Sequence, residues 1–518
     1  MTVGTPTGGP SRLLATVIAL GLLAAGAGTW LIGSSAPSRQ PRPSGPVAPA
    51  NPSARDPLDI RAHNSPSVAR NPERTDNLVV TSRVDSPMFA CAVYVSDDGA
   101  GRWSESKLPA PAGEEPKCFA PDAAFGSDGT LYVSFVTLAG TGNVPHAGWV
   151  VSSTDGGRTF SVPVRALGPQ SFQVRLVADS ENPRRLWLSW LEVGEVGLLA
   201  FSKPGNPVNV ARSDDGGATW GEPVRVSPPG RQRVVAPSPA LGRNGRLHVA
   251  YLDVGDDSLD YHGGHQGRGG EPYPGNWQLL VATSADGGAT WTEAAADKTL
   301  VPTERFLAFL PPFPSVAADR TSDRVYVSFA DGRSGDADVW LWGSVDSGAT
   351  WARPHRVNDT RPGDGTSQYL SRISVSPGGR VDVVYYDRRA DSANVLNEVS
   401  FQSSFDRGAT FSRRAQLSGA AFDSRVGFGS ERGMPDLGSR LALISSDTGA
   451  LAVWSDTRAG TEASSKQDLA VAQVAVGGDD WRDRLRWPLR AAAAALVLAA
   501  LVVVAGALRR RGPLVTAG

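Results

Sequence analysis

Ser153-Thr154-Asp155-Gly156-Gly157-Arg158-Thr159-Phe160 is the stretch on which the fold turns. Its pattern, Ser-x-Asp-x-Gly-x-Thr-aromatic, recurs at Ser213–Trp220, Ser284–Trp291, Ser344–Trp351 and Ser404–Phe411, with a degraded copy at Ser96–Trp103. Successive copies start 57, 60, 71, 60 and 60 residues apart. A period of that size implies stacked supersecondary units of one kind, as in propeller blades. Each copy lies between strand-like runs, such as Trp149–Ser153 before it and Phe160–Val164 after it, so it reads as the turn of a hairpin. In such a turn the aspartate accepts backbone N–H groups and glycine supplies a left-handed residue. The closing Trp or Phe then starts the next strand and packs between neighbouring units.

The octapeptide resembles the Asp-box (BNR) repeat of sialidases and related β-propellers, and five of the six copies match at every defined position. The resemblance covers roughly residues 57–478. It implies an all-β propeller with the boxes on the face away from any active site. Asp98, Asp155, Asp215, Asp286, Asp346 and Asp406 are therefore expected to shape their own turns. Six equivalent carboxylates spread around a ring cannot converge on one substrate.

Seven strand pairs accompany the six boxes. The apolar second strands read as Asn77–Ser82, Asp128–Phe135, Arg184–Trp190, Asn244–Tyr251, Ser322–Phe329, Gly379–Tyr385 and Thr448–Trp454. The seventh unit ends at a third strand, Asp468–Val476, with no box after it, while Pro57–Ala62 resembles a fourth strand with no blade before it. The economical solution is seven four-stranded blades closed by that N-terminal strand, which removes exposed sheet edges. Six blades, the sialidase count, is the alternative.

Two apolar segments flank the repeats. Leu13–Ile32 is uncharged and follows Arg12, as in a signal peptide or an uncleaved anchor over residues 1–33. Ala491–Leu508 is also uncharged and runs into Arg509-Arg510-Arg511. That triplet places the 509–518 tail in the cytoplasm and the propeller outside the cell membrane. Residues 34–56, rich in Pro and Ser, read as an extended tether, and 479–490 as a polar juxtamembrane link. Cys91 and Cys118 are the only cysteines, and on an exported chain the pair reads as a disulfide. Net charge is −1, which excludes a nucleic-acid partner on electrostatic grounds. Nothing in the chain signals an oligomer, so a monomer is expected.

Residues able to carry chemistry gather where second strands end and first strands begin. Asp331-Gly332-Arg333, Asp387-Arg388-Arg389 and Asp456-Thr457-Arg458 repeat an Asp-x-Arg pattern, which makes local ion pairs and lines a rim with alternating charge. Arg175, Arg372 and Arg440 head first strands facing the central channel. Guanidinium groups bind carboxylates bidentately, and the sialidase resemblance implies a carboxylate held by three arginines. Hydrolysis on that model also needs a tyrosine nucleophile and an acidic partner. Tyr386 with Asp387 are the catalytic candidates, with Tyr369 and Tyr385 beside them and Glu192, Glu398 and Glu431 as acids. The Phe/Tyr-Arg-Ile-Pro run of sialidases is absent from this sequence. The longest insertion carries Asp253, Asp256, Asp257, Asp260, His262 and His265, an oxygen-rich loop of the kind that holds Ca²⁺. No cofactor is otherwise required. A second loop, Phe422–Asp436, carries Arg425, Glu431 and Arg432.

These observations lead to a membrane-anchored extracytoplasmic propeller that binds or hydrolyses glycans at the cell surface. If it is an enzyme, the expected class is a glycoside hydrolase of exo-sialidase type. The alternative is a non-catalytic scaffold for a cell-envelope protein. No phosphate loop, Ser-His-Asp order or zinc spacing supports another chemistry.

Overall fold

First strands begin where a polar loop gives way to short alternating runs, and seven of them appear: His63–Arg70, Cys118–Phe125, Ser171–Ala178, Val234–Leu241, Ser315–Ala318, Gln368–Val375 and Ala442–Ser445. Each packs against the first strand of the next sheet, and the seventh packs back against the first, so they ring a common axis. Every sheet then runs outward antiparallel, giving seven four-stranded blades rather than six. The computed structural model describes residues 17–25, 27, 40–195, 202–259, 271–304, 312–429, 436–477 and 481–509.

Second strands explain the stability of the ring. Leu186–Glu192, Leu247–Asp253, Val325–Asp331 and Val381–Asp387 are buried almost throughout. A strand sandwiched between two neighbouring blades has no wet face, so side chains on both of its faces are buried. Trp187 and Trp454 on second strands, and Trp342 on a third strand, are among the largest side chains removed from solvent. At about 25 cal/mol per Å² of apolar surface, this interblade burial is the main favourable term of folding.

The boxes close the third-to-fourth strand turns with one repeated set of bonds. Ser153 Oγ accepts from Gly157 N at 2.8 Å and donates to Asp155 Oδ1 at 2.7 Å. Thr159 donates to Asp155 through both its backbone N (3.0 Å) and its hydroxyl (2.5 Å). Ser213, Ser284, Ser344 and Ser404 hold Gly217, Gly288, Gly348 and Gly408 in the same way, at 2.7–2.9 Å. In the degraded copy Ser96 Oγ accepts from Ala100 N at 2.9 Å, but Arg102 replaces the threonine and its hydroxyl bond is absent. Each box carboxylate is thus occupied within its own turn.

The seventh blade differs from the sequence expectation. Its third strand, Asp468–Val476, pairs with Pro41–Pro43 (Pro41 opposite Val476) and with Ala48–Pro49. Residues 57–62 form no strand; Ala62 makes a single parallel bridge to Gln467. The compact propeller unit accordingly spans Gln40–Val476, and the Pro-rich stretch read as a tether over 34–56 contributes paired edge residues from 41 onward. Proline is admissible there because an edge position leaves its missing N–H without a required partner. A disulfide joins Cys91 in blade 1 to Cys118 at the head of blade 2.

Outside the propeller unit, residues 17–25 are helical and helix α1 runs Trp481–Arg509. Among the described residues no helix is long and apolar enough to cross a membrane.

Candidate functional site

Five first strands share a local irregularity that decides where their side chains go. A register shift separates Asn64 from Ser67, Phe119 from Asp122, Phe172 from Arg175, Val235 from Ser238 and Tyr369 from Arg372. Inside each bulge one non-glycine residue is left-handed: Ser65 (φ 49°), Ala120 (52°), Gln173 (55°), Ala236 (60°) and Leu370 (51°). Bulges re-aim the side chain that follows them. The residue two positions on is therefore equivalent from blade to blade: Ser67, Asp122, Arg175, Ser238 and Arg372. Gly438 (φ 93°) stands two residues before Arg440, and Ser315 opens the fifth strand. At Ser67, Asp122 and Ser315 this position ties blade to blade. Ser67 Oγ accepts from Ala123 N (3.3 Å), Asp122 Oδ2 from Leu176 N (3.1 Å), and Ser315 Oγ from Ile373 N (3.0 Å).

Three of the seven positions are arginine and one is aspartate, and all four interact. Arg175 Nε donates to Asp122 Oδ2 at 2.7 Å, with both residues about 95% or more removed from solvent. Arg440, 6% exposed, donates from Nε to Pro66 O (3.2 Å) and from Nη2 to Pro121 O (2.8 Å), stapling blade 7 to blades 1 and 2. Arg372, half-buried at the channel wall, makes no hydrogen bond or ion pair among the described residues. Nη1 of Arg175 is buried without a partner, as is Ser238 Oγ. The electrostatics follow from that imbalance. Burial, then the charge of Arg175, brings Arg372 down to about 10 against the pull of Asp122. Burial and repulsion from Arg175 likewise push Arg440 well down. Burial raises the Asp122 carboxyl, yet Arg175 and Arg440 more than reverse this and hold it below its ordinary value.

A small pocket lies against this ring, lined in part by Pro66, Asp122, Arg175, Pro239, Arg372 and Leu441. Aromatic rings stand beside the arginines. Arg175 lies 5.6 Å from the Phe313 ring centroid, and Arg83 lies 4.8 Å from that of Phe119, which stacks on Phe172. Arg83 bridges Asp85 and Asp436, each at 2.6 Å, as a second buried charge cluster. Burial, with Asp436 nearby, raises the Asp85 carboxyl despite Arg83.

The structure thus brings Arg175, Arg372 and Arg440 together and treats the other expected residues differently. Arg333, Arg389 and Arg458 pair with their own Asp331, Asp387 and Asp456 at 2.6–2.8 Å, so the Asp-x-Arg rim is a set of local ion pairs. Asp387 is fully buried and accepts from Gln368, Arg389 and Ser400. The Tyr386 hydroxyl, also fully buried, donates to Ser455 O and accepts from Ser455 N, and burial drives its pKa up. Both side chains are therefore enclosed and hydrogen-bonded within the blades. Tyr369 bonds Asn397 and Tyr385 bonds Gln402. Glu192 is held by Asn209 and Glu398 by Arg414 and Gln416, while Glu431 lies outside the described residues.

The acidic insertion does not converge either. Asp253 pairs with Arg231 at 3.0 Å, Asp257 accepts from Leu259 N and Trp277 Nε1, and Asp256 faces solvent. Asp260, His262 and His265 lie outside the described residues. Among the described residues no group of three or more His, Cys, Asp or Glu is placed to hold a metal ion. Residues the sequence reading passed over are Asp122 and the Arg83–Asp85–Asp436 cluster. Asp122 was findable, since Ala120-Pro121-Asp122 aligns with Ser65-Pro66-Ser67 and Ala236-Pro237-Ser238.

No protein-family model and no curated protein matches the chain. Among solved structures, a Dyadobacter fermentans protein of unknown function superposes with TM-score 0.47 at 14% identity, covering 84% of this chain and 99% of that one. Phage phi92 endosialidase gives TM-score 0.48 at 8% identity, covering 85% and 70%. A Penicillium chrysogenum alpha-L-arabinanase complexed with arabinobiose gives 0.41 at 12%, covering 80% and 97%.

Proposed function

We propose that this protein is a membrane-anchored extracytoplasmic propeller, sialidase-like in architecture, that binds an acidic glycan at the cell surface without cleaving it. The observation that carries the reading is that Arg175, Arg372 and Arg440 occupy the equivalent inner position of blades 3, 6 and 7 around one carboxylate, Asp122, which only Arg175 bonds. Buried guanidinium groups are stable only when compensated, so an excess of this kind calls for an anionic ligand. Binding is favoured over hydrolysis because Asp387 and Tyr386 are enclosed and occupied. The anchor rests on the uncharged run Ala491–Leu508 and the Arg509–Arg511 triplet. At about 1.5 Å per residue that run reaches roughly 27 Å, close to a hydrocarbon core. A cell-envelope protein as ligand is the second reading, favoured by the same occupied catalytic candidates. Ca²⁺ stays an expectation for the 253–260 loop alone.

The test uses the full chain in detergent, with and without Ca²⁺. Calorimetric titration with sialylated, uronate-containing and sulfated oligosaccharides is paired with a fluorogenic sialoside assay. The reading expects binding of at least one acidic glycan, weakened about tenfold or more in Arg372→Ala, and no turnover. Turnover would overturn the non-hydrolytic half. Failure of every acidic glycan to bind would overturn the whole.

A further inference from the structure

We infer that the inner ring holds a resident monoatomic anion, a halide such as chloride, on the propeller axis between Arg175 and Arg372. The ion sits there with or without a glycan, and an acidic ligand that reaches Arg372 has to displace it. The ion site and the proposed function can therefore fail separately.

Four guanidinium groups, Arg83, Arg175, Arg372 and Arg440, stand in and beside the ring with three carboxylates, Asp85, Asp122 and Asp436. With every carboxylate ionised, one positive charge is left over, and it is left at Arg372. The Asp122 carboxylate is taken: Oδ2 accepts from Arg175 Nε and Leu176 N, and Oδ1 from Ala123 N. Arg440 is held by the Pro66 and Pro121 carbonyls, and Arg83 by its two aspartates. Arg372 makes no hydrogen bond or ion pair among the described residues, and Arg175 repels it. One monoanion closes this balance. A dianion of the same radius would overshoot it and cost about four times as much to desolvate, because the Born cost grows as the square of the charge.

The small pocket against the ring is where that charge can be met. Its lining comes from six of the seven blades: Pro66 from blade 1, Asp122 from blade 2, Arg175 from blade 3, Pro239 from blade 4, Arg372 from blade 6 and Ala442 from blade 7. A pocket walled by so many blades lies on the axis, with Arg175 and Arg372 on walls three blades apart. Donors are few. The prolines bring no N–H, and the Ser67 hydroxyl is already engaged with Ala123 N and Thr81. What remains is Arg372 and the buried, unpartnered Nη1 of Arg175. A monoatomic anion has no preferred directions, so two guanidinium groups reaching in from different walls suffice for it. A carboxylate or a sulfate brings several oxygens, each of which needs a directed donor once it leaves water.

The test unfolds the full-length protein in detergent by heat, at constant ionic strength, while sodium methanesulfonate, a larger monoanion, is replaced stepwise by sodium chloride. The unfolding temperature should rise with chloride, as it does for any ion that binds the folded state alone, and sodium bromide should act alike. Arg372→Gln should weaken chloride binding about tenfold or more. With its surplus charge gone, that variant should lose little stability in methanesulfonate alone. If it does not fold, the chlorine nuclear resonance decides: the unaltered protein should broaden it, and excess bromide should reverse the broadening. No rise with chloride, an unaltered rise in Arg372→Gln, or no such broadening would overturn the inference. Sialylated and uronate-containing oligosaccharides are then titrated at low and high chloride. Weaker glycan binding at high chloride supports displacement of the ion. Glycan binding with no chloride effect on it or on unfolding sinks the ion and leaves the proposed function standing. A chloride response with no acidic glycan bound keeps the ion and removes that function.

Discussion

In the hairpin at Ser153–Phe160, serine, aspartate and threonine bond one another and their own backbone, and four more hairpins repeat those bonds with the same residues. At the inner end of the same blades the equivalent position varies among three residue types. It is serine, aspartate, arginine, serine, serine, arginine and arginine from blade 1 to blade 7. Both regions obey the repeat in backbone, since the bulges recur as faithfully as the turns. They differ in whether the side chain serves its own blade. Where residues recur the repeat builds the scaffold; where they diverge on a recurring backbone, asymmetric chemistry becomes available at one point of a symmetric ring.

The contrast is tested hardest at Asp122. Removing it as Asp122→Ala leaves Arg175 without its partner, Leu176 N–H without an acceptor and three guanidinium groups facing one another. Breaking a buried pair from one side costs about 3–5 kcal/mol, to be read as a fall in denaturation midpoint. Arg175→Ala on top should restore part of the loss, because the uncompensated charge goes with it. A loss below about 1 kcal/mol would mean the ring is solvated like an ordinary surface pair.

The two regions also separate along the pH axis. His63, just before the first bulge, has Nδ1 3.0 Å from Gln467 O and Nε2 2.7 Å from the Tyr94 hydroxyl, and burial brings its imidazole from 6.5 to about 4. The folded state therefore prefers neutral imidazole. Its contribution is complete above pH 6.5 and is lost as pH falls towards about 4, roughly 3 kcal/mol at full extent. His248 in blade 4, also brought to about 4 by burial, adds a slope of the same sign. Box carboxylates have the same sign but act in a lower window. The hydroxyl and backbone N–H of Thr219 hold Asp215 down at about 2, so its share is present above the ordinary value of 3.8 and disappears only as pH falls through about 2. Acid titration should thus show a decline between pH 6.5 and 4 that His63→Gln reduces, followed by a second decline below 4. An unchanged slope in His63→Gln would place the first decline elsewhere.

Why the outer repeat was legible from sequence and the inner ring only partly so follows from range. A box is short: its serine, aspartate, glycine and threonine interact within four residues of one another, so the chain spells the turn directly. Arg175, Arg372 and Arg440 could be picked out because they head first strands in similar register. Their shared carboxylate, Asp122, could not be assigned by that route, since its meaning depends on Arg175, 53 residues on and one blade away. The enclosure of Tyr386 and Asp387 is likewise a property of neighbouring blades; Tyr386 reaches Ser455, 69 residues away. The edge strand at Pro41–Pro43 was hidden by composition, because a Pro-rich stretch reads as a tether until a partner strand is seen beside it.

Substitution inside the boxes should give smaller and more uniform effects. Ser153→Ala, Ser213→Ala, Ser284→Ala, Ser344→Ala and Ser404→Ala each remove the acceptor of a buried glycine N–H. Each should lower stability by about 1 kcal/mol, with little spread among the five. A wide spread would mean that the boxes are not interchangeable and that one has acquired a blade-specific role.

The smallest effect belongs to the degraded box. Ala100 occupies the position that is glycine in every other copy and is held at φ 78°, where a Cβ is disfavoured. Its N–H still reaches Ser96 Oγ at 2.9 Å, so the turn closes despite the strain. Ala100→Gly should relieve the left-handed penalty of about 1–2 kcal/mol while loosening the unfolded chain by roughly 0.5–1 kcal/mol, for a net gain of some tenths. Gly157→Ala, the mirror change in an intact box, should do the reverse and more strongly. Its added Cβ would meet Val95 Cγ2 at 3.0 Å and Leu131 Cδ2 at 3.1 Å besides taking up φ 100°. Opposite signs for this pair would show that the first box departs from the others in tolerance rather than in design. Equal signs would mean that blade 1 packs its turn differently, and that the uniformity of the outer repeat ends where the ring begins.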